Sequence, residues 1–213
     1  MTVVLIGPPA AGKSRTGRRL ARLLDASFAD TDRLIQAEHG PIRDLFAERG
    51  EEAFRELEAE AVARAVRERE IVSLGGGAVM HPSTQELLLG EGIWVVHLTV
   101  RADAVAERIA NDKRPLIRSV DDWRALVERR RPTYERLASL TVDTSFRPMR
   151  HVVDEMLEGL VKAGAVTRPA SLDEPDAEER EDDADLDLEL EEEGAGQAAP
   201  AQQTIPEPHE ERQ

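Results

Sequence analysis

The chain has 213 residues and a formal net charge of −15, a length sufficient for one well-buried domain and an extension. The acidity lies at one end, because residues 164–213 contain seventeen acidic and three basic residues, leaving 26 acidic and 25 basic residues for 1–163. The lack of cysteine excludes disulfides, a thiolate nucleophile and a cysteine-rich zinc site, and the nearly neutral first part offers no basic patch for nucleic acid.

Five short apolar runs predict the strands of a parallel sheet. In chain order they read TVVLIG, SFAD, IVSLGGG, IWVVHLTV and LTVDT, and the longer ones are β-branched and unalternated, as strands buried on both faces are. Helical spacing of apolar positions between them predicts helices, at Thr16, Leu20, Leu23 and Leu24 and at Phe54, Leu57, Ala61 and Ala65. Alternating strands and helices predict an α/β fold. All apolar runs are too short for a bilayer, so we expect no membrane span and a cytoplasmic protein.

The first strand is followed by GPPAAGKS, Gly7 to Ser14, which matches the phosphate-binding pattern G-x-x-x-x-G-K-[ST]. Glycines let the backbone N–H groups turn toward phosphate oxygens, and the helix that follows adds its positive end. Lys13 can bridge the terminal phosphates, and the Ser14 hydroxyl is a hard oxygen ligand for Mg²⁺. The loop predicts nucleotide binding but leaves the phosphate acceptor open.

The second strand ends in FADTD, which places Asp30 and Asp32 on one side of an extended chain. At the carboxyl end of a sheet strand, two carboxylates can hold the water around Mg²⁺ or accept a proton from an attacking hydroxyl. The alternative for Asp32 is a helix cap.

Two further groups of residues have both a structural and a functional interpretation. Arg55 and Glu58 are three positions apart on one helix face and can pair with each other, whereas an arginine beside a carboxylate substrate would use its bidentate fork. The run Gly75–Gly77 indicates either a tight turn or a close approach of the backbone to another group. His97, inside a predicted strand, is expected to be a core or edge residue.

The acidic end of the chain, residues 164–213, has no aromatic residue and five prolines. Such a composition buries too little apolar surface to offset chain entropy, which predicts a disordered, solubilising tail. The alternation DLDLELE leaves open a docking strand for a partner whose identity the sequence does not give.

Taken in order, these motifs resemble the shikimate kinase family. The resemblance runs from GxxxxGKS through DTD, FRxxE and GGGAV to RPL at Arg114–Leu116 and RxPxY at Arg130–Tyr134, and it covers residues 2–160. It implies a three-layer P-loop kinase fold with a five-stranded parallel sheet and a mobile lid in residues 1–163. It also implies a monomeric, Mg²⁺-dependent enzyme that transfers phosphate from ATP to the 3-hydroxyl of shikimate, on the route to chorismate and the aromatic amino acids.

The resemblance also implies a role for each matching residue. The catalytic residues would be Lys13, Asp32 and Arg114, the last a lid arginine, and the metal would be held by Ser14 and Asp30. The nucleotide would be bound by Gly7, Ala10, Ala11, Gly12, Lys13, Ser14, Arg15, Arg108, Arg114 and Pro148. Shikimate would be bound by Asp32, Arg55, Glu58, Gly76, Gly77 and Arg130.

Two rival functions fit part of the sequence. Another small P-loop kinase, for gluconate or a nucleoside monophosphate, would share the phosphate-binding loop. A non-catalytic nucleotide-binding regulator would use the acidic tail to bind a basic partner.

Overall fold

The computed structural model describes residues 1–111 and 119–169, and for residues 107–111 the backbone only. These residues fall within one compact unit, Met1–Ala170. The elements are β1 (Thr2–Ile6), α1 (Lys13–Leu24), β2 (Phe28–Asp30), α2 (Thr31–His39), α3 (Ile42–Glu68), β3 (Ile71–Ser73), a 3-10 turn (Ala78–Met80), α4 (Pro82–Leu88), β4 (Ile93–Thr99), α5 (Ala102–Asn111), α6 (Val120–Leu137), β5 (Leu140–Asp143) and α7 (Met149–Lys162).

The five strands form one parallel sheet in the order β2-β3-β1-β4-β5. The central strand β1 is buried along its whole length, and its Val4 pairs with Val72 of β3 and Val95 of β4. Its apolar run is therefore unalternated because both faces are covered. All five predicted strands are present, which confirms the predicted α/β fold with a five-stranded parallel sheet.

Helices cover both faces of the sheet, giving three layers. On one face, the core of β1, β3 and β4 packs with side chains of α3, α4 and α6, among them Val62, Leu88 and Tyr134. On the other face, α1 and α7 pack against each other and against the sheet, with α1 on β1 and β3 and α7 on β5. Gly17 of α1 lies so close to Leu5 and Phe28 that a Cβ there would overlap with both side chains.

The strand order places the central loops at one edge of the sheet. Strands β3 and β2 lie on one side of β1, and strands β4 and β5 lie on the other. The carboxyl end of β1 therefore lies where the strand order reverses, which is where α/β sheets bind ligands.

Helix α7 ends in a capping turn. Gly164 has a φ of +73° and donates its N–H to Val161, while the Ala165 N–H donates to Leu160, so the helix closes with a Schellman turn. Ala165 is fully buried, two residues beyond the predicted domain end at 163. Most of the predicted tail, residues 170–213, and the predicted lid arginine Arg114 lie outside the described residues. Within 1–111 and 119–169, no helix is both long and apolar enough to span a bilayer.

Candidate active site

The loop Gly7–Ser14 joins β1 to α1 and closes around the Lys13 side chain. The Lys13 ammonium donates to the carbonyl oxygens of Gly7 at 2.9 Å and Pro8 at 3.0 Å, and the residue is 9% exposed. Gly12 precedes the helix with a φ of +81°, and Gly7 has a φ of +141° at a point where a Cβ would overlap with the Leu98 carbonyl. Both glycines are required by the path of the backbone.

The other predicted loop residues occupy the curve and the first helical turn. Ala10 has a φ of +65°, and Ala11 is fully buried with its N–H on the Pro8 carbonyl at 3.3 Å. Ser14 and Arg15 are half-buried in the first turn of α1. The loop therefore has the curvature that turns backbone N–H groups to one side, with alanine at positions 10 and 11.

The carboxylates of FADTD lie at a strand-to-helix junction. Strand β2 ends at Asp30 and α2 begins at Thr31, and an Asp30 oxygen accepts from the Arg33 N–H at 3.2 Å. The helix cap is thus Asp30, and the alternative of a cap at Asp32 is wrong. The expected extended geometry is also wrong, because Asp32 sits in the first turn of the helix.

Asp32 nevertheless lies between the groups that the sequence assigned to the two substrates. Burial raises the pKa of Asp32 from 3.8 to about 6, with smaller upward contributions from the carboxylates of Asp30 and Glu58. The positive charges of Lys13 and Arg55 act on the same pKa in the opposite direction. A carboxyl group with a pKa near neutrality is suited to accept a proton during catalysis.

Arg55 and Glu58 form the ion pair that their spacing allows. The Arg55 Nη1 donates to Glu58 at 2.6 Å, and Nη2 donates to the exposed carboxylate of Glu51 at 3.3 Å. The guanidinium carbon also lies 5.7 Å from the ring centre of Phe46 and 5.4 Å from that of Phe54. Glu58 is 2% exposed, and burial raises its pKa against the opposing charge of Arg55. The ion pair thus fixes the orientation of the arginine fork and leaves a substrate role open.

The three glycines after β3 pack against three different parts of the site. A Cβ on Gly75 would overlap with the Asp32 carboxylate, and one on Gly76 would lie 3.1 Å from Pro9 Cδ. A Cβ on Gly77 would lie 2.7 Å from the guanidinium carbon of Arg55. The tight turn is present as well, since the Ala78 N–H donates to the Gly75 carbonyl at 3.1 Å. Both interpretations of the glycine run therefore hold.

Arg130 of α6 is the arginine of RRRP that reaches this turn. Its Nη1 donates to the Gly76 carbonyl at 2.9 Å, and the Tyr134 hydroxyl donates to the same oxygen at 2.6 Å. Arg129 and Arg131 are exposed, and Arg131 pairs with Glu128 on the surface.

Three predicted nucleotide-binding residues lie outside or at the border of this cluster. Arg114 and the side chain of Arg108 are outside the described residues. Pro148 is the exposed N-cap of α7, and the next residue, Met149, accepts a hydrogen bond from Thr16 at 3.4 Å. Pro148 therefore lies beside the first turns of the helix that follows the phosphate-binding loop.

Two residues without a predicted catalytic or binding role contact the site. His97 of β4 is 5% exposed, and its ring stacks on Tyr134 with centroids 5.0 Å apart. Burial, with a contribution from Lys13, lowers the pKa of His97 to about 4, so this residue is a neutral core residue of an interior strand. Trp123 of α6 donates its indole N–H to the Pro9 carbonyl at 3.0 Å. A contact over 114 positions leaves no periodic signal in the sequence.

The donor set fits magnesium only in part. Ser14 and Asp30 offer hydroxyl and carboxylate oxygens, the ligands that Mg²⁺ prefers. Within the part of the chain that the structure describes, no group of three or more His, Cys, Asp and Glu could hold a metal ion. A bound Mg²⁺ would therefore take its remaining ligands from phosphate oxygens and water.

Comparison with known proteins agrees with this geometry. The sequence model of the family described as shikimate kinase matches residues 9–161. The chain belongs to the shikimate kinase family. It is 44% identical to the shikimate kinase of Corynebacterium efficiens over 162 residues, which are 74% of this chain and 95% of that protein. It is also 44% identical to the shikimate kinase of Mycobacterium avium over 150 residues, 68% of this chain and 84% of that protein.

Solved structures of family members have the same fold. The shikimate kinase of Acinetobacter baumannii in complex with shikimate superposes with a TM-score of 0.70 and 30% identity, covering 76% of this chain and 93% of that one. A gluconokinase from Sinorhizobium meliloti has a TM-score of 0.51 at 20% identity, over 76% of this chain and 92% of that one, which shows a shared fold alone.

Proposed function

We propose that this chain transfers the γ-phosphoryl group of ATP to the 3-hydroxyl of shikimate, giving shikimate 3-phosphate and ADP, a step toward chorismate and the aromatic amino acids. Membership of the shikimate kinase family supports the reaction. The observation that carries it is the position of Asp32, whose carboxyl lies against Gly75 of the glycine turn and whose pKa, raised by burial, is lowered by the charges of both Lys13 and Arg55. A proton acceptor between a phosphate-binding cation and a carboxylate-binding cation is the arrangement that this reaction needs.

The donor side of the site is the loop Gly7–Ser14. The backbone N–H groups of this loop, among them those of Ala10 and Ala11, would bind the phosphates together with the N–H of Arg15. Lys13 would exchange the Gly7 and Pro8 carbonyls for phosphate oxygens. Ser14 and Asp30 would hold Mg²⁺, which supplies positive charge to the transferring phosphate when bound. Arg114 would act from the lid, and Arg108 and Pro148 would contact the adenine.

The acceptor side consists of Arg55, Glu58, Arg130 and the glycine turn. The two guanidinium groups would bind the shikimate carboxylate, while Glu58 holds Arg55 in place and the N–H groups of Gly76 and Gly77 add hydrogen bonds. As the 3-hydroxyl oxygen bonds to the γ-phosphorus, its proton passes to Asp32 and the bond to the leaving ADP oxygen breaks. Positioning of the two substrates and electrostatic stabilisation of the transferring group would together supply the rate acceleration.

The remaining parts of the proposal concern the whole protein. We propose residues 1–163 as the catalytic domain and 164–213 as an acidic tail without a catalytic role. We also propose a monomer, since each proposed site residue comes from a single chain. The cytoplasm is the compartment we propose, because ATP is the co-substrate.

The test is an ATP-consumption assay with shikimate, gluconate and nucleoside monophosphates as separate acceptors and Lys13→Ala as the inactive control. We expect turnover with shikimate alone, and a loss of at least about a thousandfold in the control, as for removal of a group that stabilises the transferring phosphoryl. Turnover with gluconate alone would assign the other kinase activity. Nucleotide binding without turnover of any acceptor would favour the non-catalytic regulator.

A further inference from the structure

One face of helix α6 carries three side chains that point at the two halves of the active site. Arg130 and Tyr134 follow Trp123 by seven and eleven positions. At 3.6 residues per turn, these spacings place both within about 20° of Trp123 around the helix axis, and Arg130 about 10 Å further along it. Trp123 and Tyr134 are 4% and 1% exposed. The three side chains thus form a single row on a buried face.

The two ends of this row bind carbonyl groups of different loops. The Trp123 indole N–H donates to the Pro9 carbonyl of the phosphate-binding loop at 3.0 Å. The Arg130 guanidinium and the Tyr134 hydroxyl donate to the Gly76 carbonyl of the glycine turn at 2.9 and 2.6 Å. One helix therefore fixes one point of the donor side and one point of the acceptor side.

The two loops also contact each other directly. A Cβ on Gly76 would lie 3.1 Å from Cδ and 3.4 Å from Cγ of Pro9, so the proline ring rests on the glycine backbone. Proline has a fixed φ, which makes this contact stiff. The contacts thus form a closed ring that runs through Trp123, Pro9, Gly76 and Arg130. In this ring, the distance between the phosphate-binding loop and the glycine turn depends on α6.

We propose that Trp123 is a positioning residue for phosphoryl transfer, which holds Pro9 so that the phosphate-binding loop lies at the correct distance from the acceptor pocket. The inference rests on the proposed function, since it assigns the phosphate donor to one loop and the acceptor to the other. In this role Trp123 acts on the reaction through its hydrogen bond to the Pro9 carbonyl. A misplacement of reacting groups by about 1 Å can lower a rate by about a hundredfold without weakening either binding step.

The test compares Trp123→Phe with Trp94→Phe, a change at the other tryptophan of the chain, which lies half-buried in β4. Phenylalanine keeps an aromatic ring and removes the N–H that binds Pro9. We expect kcat to fall roughly three- to tenfold, the effect of one hydrogen bond, while KM for ATP and shikimate and the Kd of ADP stay within about twofold. Trp94→Phe should leave all four values unchanged.

The split between kcat and KM separates positioning from support of the fold. A merely structural role would lower the thermal midpoint and the folded fraction but leave kcat per folded molecule unchanged, and this result would overturn the proposal. A rise in the Kd of ADP that accounts for the whole loss would also overturn it. If wild-type protein fails to phosphorylate shikimate, the proposed function fails, and the variants are then compared with the acceptor that wild type does phosphorylate.

A second variant keeps the test decisive if Trp123→Phe does not fold. Pro9→Ala retains the carbonyl that accepts from Trp123 but removes the ring carbons that contact Gly76. We expect a similar loss of kcat, and a double variant no slower than the slower single variant, because each change alone interrupts the same chain of contacts from Trp123 through Pro9 to Gly76. Additive losses in the double variant, or unchanged kcat in Pro9→Ala, would overturn the proposal.

Discussion

At the scale of single residues, the chemistry of this site depends on carboxylates and cations that lie close together in a largely buried pocket. Asp32 has two negative neighbours and two positive ones, yet burial is the largest influence on its pKa. Glu58 is almost fully enclosed and remains close to Arg55 at 2.6 Å. Burying two carboxylates costs stability, which the charge of Arg55 offsets only in part, and such a cost is typical of residues kept for function.

The first prediction concerns the stability cost of Asp32. Burial raises the pKa of Asp32 from its usual 3.8 to about 6, so between these pH values the folded state binds more protons than the unfolded one. The free energy of unfolding therefore falls as pH rises from about 4 to about 6. Asp32→Asn should remove this cost and raise the free energy of unfolding at pH 7.5 by on the order of 1–3 kcal/mol, while shikimate phosphorylation is lost.

Urea unfolding at pH 7.5 and pH 4 measures this gain, which should be small at the lower pH because Asp32 is protonated there. The control is Asp154→Asn, which neutralises an exposed carboxylate on α7. Equal stabilisation by both variants at pH 7.5 would mean that overall charge, rather than the site of Asp32, is responsible.

At the scale of elements, the sequence predicted the sheet and much of the site, but not the details of its junctions. The strands could be predicted because strands buried on both faces of a parallel sheet consist of continuous apolar, β-branched residues. The phosphate-binding loop could be predicted because its backbone conformation requires glycine at fixed positions. Strand β2 is only three residues long, and a shift of two residues decides which aspartate caps α2. The link of Arg130 to Gly76 spans 54 positions, so only packing reveals it.

The second prediction concerns helix α3, which carries Arg55 of the proposed acceptor pocket. Arg55→Lys keeps the charge but replaces a planar fork, held by Glu58, with a flexible point charge. We expect KM for shikimate to rise roughly ten- to a hundredfold, the effect of losing one or two hydrogen bonds to a charged group, with the Kd of ADP unchanged.

The matched control on the same helix is Arg64→Lys, because Arg64 forms a surface ion pair with Glu38. That variant should keep its KM for shikimate, since exposed ion pairs contribute little. If KM for shikimate stayed at the wild-type value in Arg55→Lys, the arginine would serve the fold alone and another group would bind the acceptor carboxylate.

At the scale of the whole molecule, the charge and the catalytic residues are separated along the chain. The proposed site residues lie between Gly7 and Pro148, and the family match ends at residue 161. The relative from Corynebacterium efficiens is matched over 95% of its own length by 162 residues of this chain. The seventeen acidic residues of 164–213 therefore lie beyond the part of the chain shared with the family.

The last prediction concerns a chain shortened to residues 1–169, which keeps the buried Ala165 and the turn that closes α7. Because residues 164–213 carry nearly all of the net charge, any effect of their carboxylates on the binding of anionic ATP would be largest at low salt. We expect kcat and both KM values to stay within about twofold of the full chain at ionic strengths of about 0.02 and 0.15 M, because nearby site charges govern binding more than screened distant ones. Steady-state kinetics of the two chains provides the comparison. A KM for ATP that falls on truncation at low salt, and only there, would show that the acidic segment competes with the nucleotide for the cations of the site.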